Sequence, residues 1–253
     1  MVFETLERIS LIVKKDLKIQ FRWGATQIFF FEFFVPVFIM IFTLLFARDP
    51  NIYISVIVGV FCFQLMYDIT DKIAWAFTSW EGWAVDNLLS VPIKDSEIIV
   101  SKSLFGFSFG ILRALLLLII GYLIYPSRIA PNLLALFLYT FLSLVVYASI
   151  GLIFLGIWFY SRILLETSIK IFYFLSQLLF GFYFDPSLLP SFLQIFSKIF
   201  PIYYLVKGIK DAIIFGVFNT SCLFVPILWL IFLIPISLKI YRFGRLHYYS
   251  GRP

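Results

Sequence analysis

The sequence predicts an all-α membrane protein with six transmembrane helices, an N-terminal amphipathic interface helix, a compact polar segment between the second and third spans, and interfacial or re-entrant helices before the last span. Three observations predict this. First, 62% of the 253 residues are hydrophobic and 13% are charged, with 33 phenylalanines, more apolar surface than a water-soluble fold of this length can hide. Second, the apolar runs reach roughly 20 residues, enough to cross ~30 Å of hydrocarbon as helix. Third, those runs lack the strict alternation of an outer-membrane strand, so helices satisfy the backbone inside lipid.

Residues 1–24 form the interface helix. Phe3, Leu6, Ile9, Val13 and Leu17 recur at helical spacing, and Glu7, Lys14, Lys15, Lys18 and Arg22 lie largely elsewhere around the wheel. Acidic residues Glu4, Glu7 and Asp16 among the bases, and the lack of an early apolar core, argue against a cleaved signal peptide. The predicted spans are 27–47, 52–75, 104–125, 133–160, 163–184 and 222–241. The short links "RDPN" and "PSRIAPN" make hairpins of the pairs they join. The chain is one transmembrane domain, 1–253. Spans one and two occupy 27–75, the polar segment 76–103, spans three to five 104–184, an outer segment 185–219, span six 222–241 and a tail 242–253. Within 185–219, "DPSLLPSFLQIFSKIF" and "PIYYLVKGIKDAIIFG" are each too short to span and too apolar for an exposed loop.

Basic residues set the orientation. Arg8, Lys14, Lys15, Lys18, Arg22, Lys72, Lys94, Lys102, Arg162, Lys170, Lys239, Arg242, Arg245 and Arg252 fall on one side of this topology. Arg48, Arg128, Lys198, Lys207 and Lys210 fall on the other. The positive-inside rule then makes both termini cytoplasmic in a multi-pass plasma-membrane protein. The net charge of +6 follows from this topology and implies no nucleic-acid partner.

Motifs for chemistry on the chain are missing. There is no GxxxxGK[ST] loop for ATP, no HExxH or CxxC, and no paired carboxylates, so neither an enzyme nor a metal site is predicted. Cys62 and Cys222 read as packing residues and His247 as an interfacial anchor. Charges inside the spans are costly. Arg113, Glu32 and Asp68 are the candidates, as an inter-helix pair of Arg113 with Glu32 or Asp68, or as polar contacts along a transport route. Asp68 and Lys72, acid first and four apart, suit one helix face. Gly106 and Gly110 permit close helix approach. Asn219-Thr-Ser is a glycosylation acceptor on the outer side.

The polar segment "WEGWAVDNLLSVPIKDSEIIVSK" reads as helix, turn, helix. Trp80, Trp83, Val85, Leu88 and Leu89 hold a short helix at the membrane face, Pro92 disfavours helix at Val91, and Asp95 or Ser96 caps the next helix. "DNLLSVPIKDSEIIVSKSL" resembles the segment of type-2 ATP-binding-cassette (ABC) exporter permeases that leads from a leucine-rich short helix through a small-x-Pro turn into the third span. On the outer side, "FPIYYLVKGIKDAIIFG" is similar to that family's Pro-aromatic-basic-Gly signature, with Pro201, Tyr203, Tyr204, Lys210 and Gly216 in matching places. Lys210 stands where the family often has arginine.

The resemblance implies an ABC transporter permease working in export as a dimer, its second permease chain identical or homologous. Two copies of a separate ABC ATPase subunit would bind ATP and magnesium, with no cofactor on this chain and membrane lipid around it. It makes Trp83, Asp86, Leu88, Leu89, Pro92 and Asp95 the coupling helix and its exit. A route lined by spans one, two and five would bring in Phe29, Phe33, Gln64, Phe172, Gln177 and Phe180, a lining that suits an amphipathic, lipid-like or drug-like substrate. Two other readings stay open: an ion-coupled carrier or channel without an ATPase, and a non-transporting membrane scaffold.

Overall fold

A computed structural model of the chain describes residues 2–23, 37–38, 41, 45, 50–77, 94–124 and 131–250. Among the described residues eight α-helices follow one another and no strand forms. Helix α1, Val2–Trp23, covers the predicted interface helix. Thr5, Ile9, Ile12, Val13, Asp16 and Leu17 make a half-buried stripe at helical spacing, and Leu6, Glu7, Lys14, Lys15 and Lys18 are exposed. The stripe lies along α3, Asp95–Ile124.

Among the described residues four helices are long and apolar enough to cross a membrane: α2 (Pro50–Ala74), α3, α4 (Leu133–Tyr160) and α8 (Ser221–Ser250). At ~1.5 Å per residue the 30 residues of α3 and of α8 each extend about 45 Å, beyond the ~30 Å of a hydrocarbon layer. Both therefore run past the lengths expected from the sequence, which began the third span at Leu104 and ended the sixth at Tyr241. Of the predicted first span, Val37, Phe38, Ile41 and Leu45 are helical and the remainder lies outside the described residues.

The fifth predicted span, 163–184, is corrected. Helix α5 runs Arg162–Leu179, 18 residues, with Arg162, Glu166 and Lys170 in its first half. It stops because Phe180 leaves helical geometry and Gly181 takes a φ of 78°. The chain then turns inward, so that the fully buried Phe182 sets its carbonyl against Gly59 of α2. The outer segment continues as a 3-10 turn (Pro186–Leu188), α6 (Ser191–Ile199), α7 (Pro201–Lys210) and a π-helical turn (Asp211–Phe215). These are the two short helices read from "DPSLLPSFLQIFSKIF" and "PIYYLVKGIKDAIIFG".

Local chemistry sets the boundaries. Asn132 accepts a hydrogen bond from the Ala135 N–H to begin α4 (3.1 Å), and Ser161 both ends α4 and accepts from the Leu164 N–H to begin α5 (3.4 Å). Helix α2 is the most enclosed, with 78% of its span buried, and α8 the least, with 17%. That contrast makes α2 the central post and leaves a broad face of α8 directed away from the bundle. Helices α4 and α8 join along Phe159, whose ring meets Tyr241 (5.9 Å between centroids) and Tyr248 (5.5 Å). Cys62 and Cys222 are buried free thiols.

The fold has two polar ends. At one, α1, the start of α3 and α5, and the final turns of α2, α4 and α8 gather most of the basic residues. At the other, Asn132, Ser55 and the segment 185–220 meet.

A methyl group at Gly59 would overlap the Phe182 carbonyl, so Gly59→Ala must displace the turn after α5. Overpacking of this kind costs about 1–3 kcal/mol. The expected result is a lower thermal midpoint of the detergent-purified chain; an unchanged midpoint would mean that the Phe182 turn does not sit against α2.

Candidate functional site

At the basic end, the chain enters α3 directly from the segment that resembles a coupling helix. The N-terminal cap differs from the expected one: the Lys94 N–H donates to the Glu97 carboxylate (3.1 Å), the backward half of a capping box. Asp95 is thereby left for longer-range contacts. Its carboxylate accepts the Tyr241 hydroxyl (2.9 Å) and pairs with Arg245, both from the last turns of α8. Two turns further along α3, Lys102 pairs with Asp16 of α1 (2.8 Å). The side chains of Asp95 and Arg245 are 18% and 35% exposed, so solvent moderates the strength of their pair. Its geometric effect is to tie the first turns of α3 to α1 and α8 together. Trp83, Asp86, Leu88, Leu89 and Pro92 lie outside the described residues.

Halfway along the bundle, α3 touches α2 at Gly106 and Gly110, where an added methyl would lie 2.7 Å from the Asp68 carbonyl oxygen and 3.2 Å from its Cβ respectively. This approach brings Arg113 against Asp68, with an Nη1 to Oδ1 distance of 3.2 Å and the guanidinium 4.1 Å from the Phe109 ring centre. Asp68 is thus a partner of Arg113; Glu32, the other acid the sequence offered, lies outside the described residues. Gln64, predicted on the substrate route, is buried and donates to the other Asp68 oxygen (3.1 Å). Lys72 lies over the Phe105 ring, 6.0 Å from its centre.

Helices α2 and α5 meet through rings. Tyr67 stands 5.0 Å from Tyr173 between centroids, and Phe63 contacts Tyr173 (6.3 Å), Phe182 (5.5 Å) and Tyr183 (6.2 Å). Phe63, Tyr67, Tyr173 and Tyr183 are each half-buried, and the Tyr173 hydroxyl has no hydrogen-bond partner among the described residues. Phe172 instead meets Phe154 of α4 edge-on at 5.3 Å, and Gln177 is half-buried on α5. Phe180 does not belong to this wall. It is buried against Phe200 (5.5 Å) because the chain has already turned off α5. Phe29 and Phe33 lie outside the described residues. The four ring residues were missed in the sequence although Phe63 and Tyr67 are four apart and so share a helix face. A wall rich in rings favours apolar or aromatic surfaces.

At the opposite end, Pro201 opens α7, where its missing N–H costs nothing, and the Tyr203 and Tyr204 rings meet edge-on at 5.1 Å. Gly216 closes the π turn with a φ of 64°, a conformation that disfavours any side chain, and its carbonyl accepts from Asn132 (3.2 Å). Asn219 of the acceptor tripeptide is held within this network: its amide donates to Asp211 (3.3 Å), its side-chain oxygen accepts from Ser221 (2.6 Å), and its backbone carbonyl from Tyr139 (2.6 Å). Lys210 donates to the Ser55 hydroxyl of α2 (3.0 Å). Burial pulls its ammonium down to about 8, partly offset by negative charge that includes Asp185; the Asp185 carboxyl is itself held below its usual range, chiefly by the Ser187 N–H. Among the described residues no group of three His, Cys, Asp or Glu side chains could hold a metal.

Two predictions follow from these contacts. Asp68→Asn breaks the buried ion pair with Arg113 and should cost about 3–5 kcal/mol, read as a fall in thermal midpoint, whereas Asp68→Leu with Arg113→Met should recover most of it. Equal losses in both variants would show that the ion pair itself, rather than its burial, is needed. For Lys210 the sign runs the other way from a paired lysine. Its folded value lies below the unfolded one, so the unfolded chain binds more protons between them and stability rises with pH across that interval. The midpoint should therefore climb from about pH 7.5 to about pH 9.5 more steeply in the native chain than in Lys210→Met; matching slopes would contradict the buried placement. No protein-family model matches this chain, and no curated protein matches it.

Proposed function

We propose that the chain is the transmembrane permease subunit of an ATP-driven ABC exporter. It would work as a dimer of permease chains with two copies of a separate ATPase subunit, in the plasma membrane with both termini cytoplasmic. In this reading the basic end of the bundle faces the cytoplasm, α1 lies in the interface, α5 and the run 27–47 complete six spans, and α6 and α7 are re-entrant on the outer side. The cargo is amphipathic and lipid-like or drug-like, leaving from the cytoplasm or the inner leaflet.

The observation that carries the reading is the junction at the start of α3. A coupling segment must convert a push at the membrane surface into movement of several helices. The segment that resembles one feeds straight into Asp95, and within two turns α3 is linked to α8 through Tyr241 and Arg245 and to α1 through Asp16. A displacement there is shared by three helices rather than absorbed by one. Because α3 also presses on α2 at Gly106 and Gly110, the movement reaches the ring-lined face between α2 and α5, which is the candidate cargo wall. ATP closing the ATPase pair would thus tilt the wall, and the outer helices beside Ser55 would border the exit. The enclosure of Arg113 by Asp68 and Phe109 favours a structural use of that charge over the gradient-driven use a carrier would need.

The test is co-purification of the tagged chain in mild detergent with candidate ATPase subunits co-expressed. The native chain should retain one ATPase partner in stoichiometric amount, and Leu88→Asp with Leu89→Asp should lose it. Asp95→Asn and Arg245→Gln should keep the ATPase bound and lower transport per ATP hydrolysed. Substrate movement driven by an ion gradient without nucleotide, or a folded chain that binds no ATPase, would overturn the proposal.

A further inference from the structure

The C-terminal half of α8 carries three cations, Lys239, Arg242 and Arg245, within two turns, and they are treated unequally. Arg245 turns into the bundle and is neutralised by Asp95. Lys239 and Arg242 are exposed on the face that points away from it, and neither forms an ion pair among the described residues. They border an open groove of about 440 Å³ that is otherwise lined by Pro235, Leu238, Phe243 and Leu246. Phe243 and Leu246 are 69% and 70% exposed, so the groove is an uncovered apolar surface with two positive charges at its edge.

Depth identifies what surrounds it. Ser221, at the start of α8, belongs to the polar network of the opposite end through Asn219. Counting ~1.5 Å per residue from there, Lys239 lies about 27 Å and Arg242 about 32 Å along the helix. Those values bracket the ~30 Å thickness of the hydrocarbon layer, which puts both cations at headgroup level. Ile231, Phe232 and Ile236, on the approach to the groove, are exposed within the hydrocarbon depth, where a soluble partner has no access. Being three residues apart on a helix, Lys239 and Arg242 are near enough to donate to one phosphate diester.

We infer that this groove on α8 binds an anionic phospholipid, with its phosphate between Lys239 and Arg242 and its chains along Pro235 and Leu238. The inference rests on the transmembrane reading above, and the cytoplasmic leaflet as the source of the lipid rests on its orientation. The bound lipid fills the groove left beside Pro235 and neutralises two charges that form no ion pair among the described residues.

The test uses the full chain, purified without any ATPase, in mixed micelles containing phosphatidylglycerol, phosphatidylcholine or neither. Phosphatidylglycerol at about a hundredfold excess over its Kd should raise the native thermal midpoint by roughly 5–10 °C. Lys239→Gln with Arg242→Gln should lose most of that shift, whereas Lys14→Gln with Lys15→Gln, which removes the same charge from the exposed face of α1, should keep it. Native mass spectrometry should count one retained phosphatidylglycerol in the native chain and none in the α8 double variant. The inference fails if phosphatidylcholine or inorganic phosphate alone gives the same shift, if the double variant keeps the lipid, or if the α1 variant loses it equally. Because no ATPase is present, failure here leaves the exporter reading standing, and loss of ATPase binding by a chain that still holds lipid removes that reading alone.

Discussion

The close approach of α3 to α2 is the constraint on which the rest of the bundle depends. Lipid offers the helices no hydrophobic drive toward one another, so packing and polar contacts must hold them. Gly106 and Gly110 let the α3 backbone settle on α2, and that proximity is what makes Asp68 available to Arg113. The order of cause matters. A guanidinium in this environment is costly unless paired and hydrogen-bonded, and Asp68 alone would leave the carboxylate's second oxygen wanting. Gln64 supplies that hydrogen bond and Phe109 covers the cation face, so one charge pair engages four side chains on two helices. With α2 fixed in this way, α4 packs on another of its faces and the Phe182 turn closes over Gly59.

The two polar ends obey different physics. At the basic end the contacts are partly exposed ion pairs, which solvent weakens and which therefore suit a junction that has to move. At the other end the contacts are mainly hydrogen bonds to backbone groups: Asn132 to Gly216, Tyr139 to Asn219, Gln194 to Leu189. Backbone acceptors sit on short helices and turns that have no room to slide, so these bonds fix a shape. The hydrogen-bonded end is thus the more rigid of the two and the ion-paired basic end the more compliant.

The helical class and the extents of α1, α2 and α4 were legible because they depend on local rules. Residues 133–160 were read correctly to the residue since Pro131 and Asn132 mark one end and Ser161 the other. The course after Leu179 was not legible. "QLLFGFYF" is apolar throughout, and a hydropathy argument continues the helix through it to Phe184, but Gly181 turns the chain because Gly59, 122 positions earlier, leaves a space for the Phe182 carbonyl. The cap of α3 failed for a related reason. Asp95 and Ser96 are good local caps, yet Tyr241 and Arg245 compete for the Asp95 carboxylate from 146 and 150 residues away. Among the candidate cargo residues the same blindness appears: Gln64 and Phe180 were chosen by span and type, and tertiary contacts absorb both into the core, while Phe63, Tyr67 and Tyr173 emerge only when α2 and α5 are set side by side.

The unequal fates of the charges follow from one comparison, the distance each must travel to reach water or a partner. Arg113 is buried within the bundle and paired there with Asp68, which is itself buried. Lys102 and Arg245 sit at the basic end where carboxylates of neighbouring helices are at hand, and they are spent on holding helices together. Lys239 and Arg242 lie in the same stretch of α8 but are exposed, and neither forms an ion pair among the described residues. A charge on a transmembrane helix is therefore informative about function only after its direction is known, and direction is a property of packing that the linear pattern does not carry.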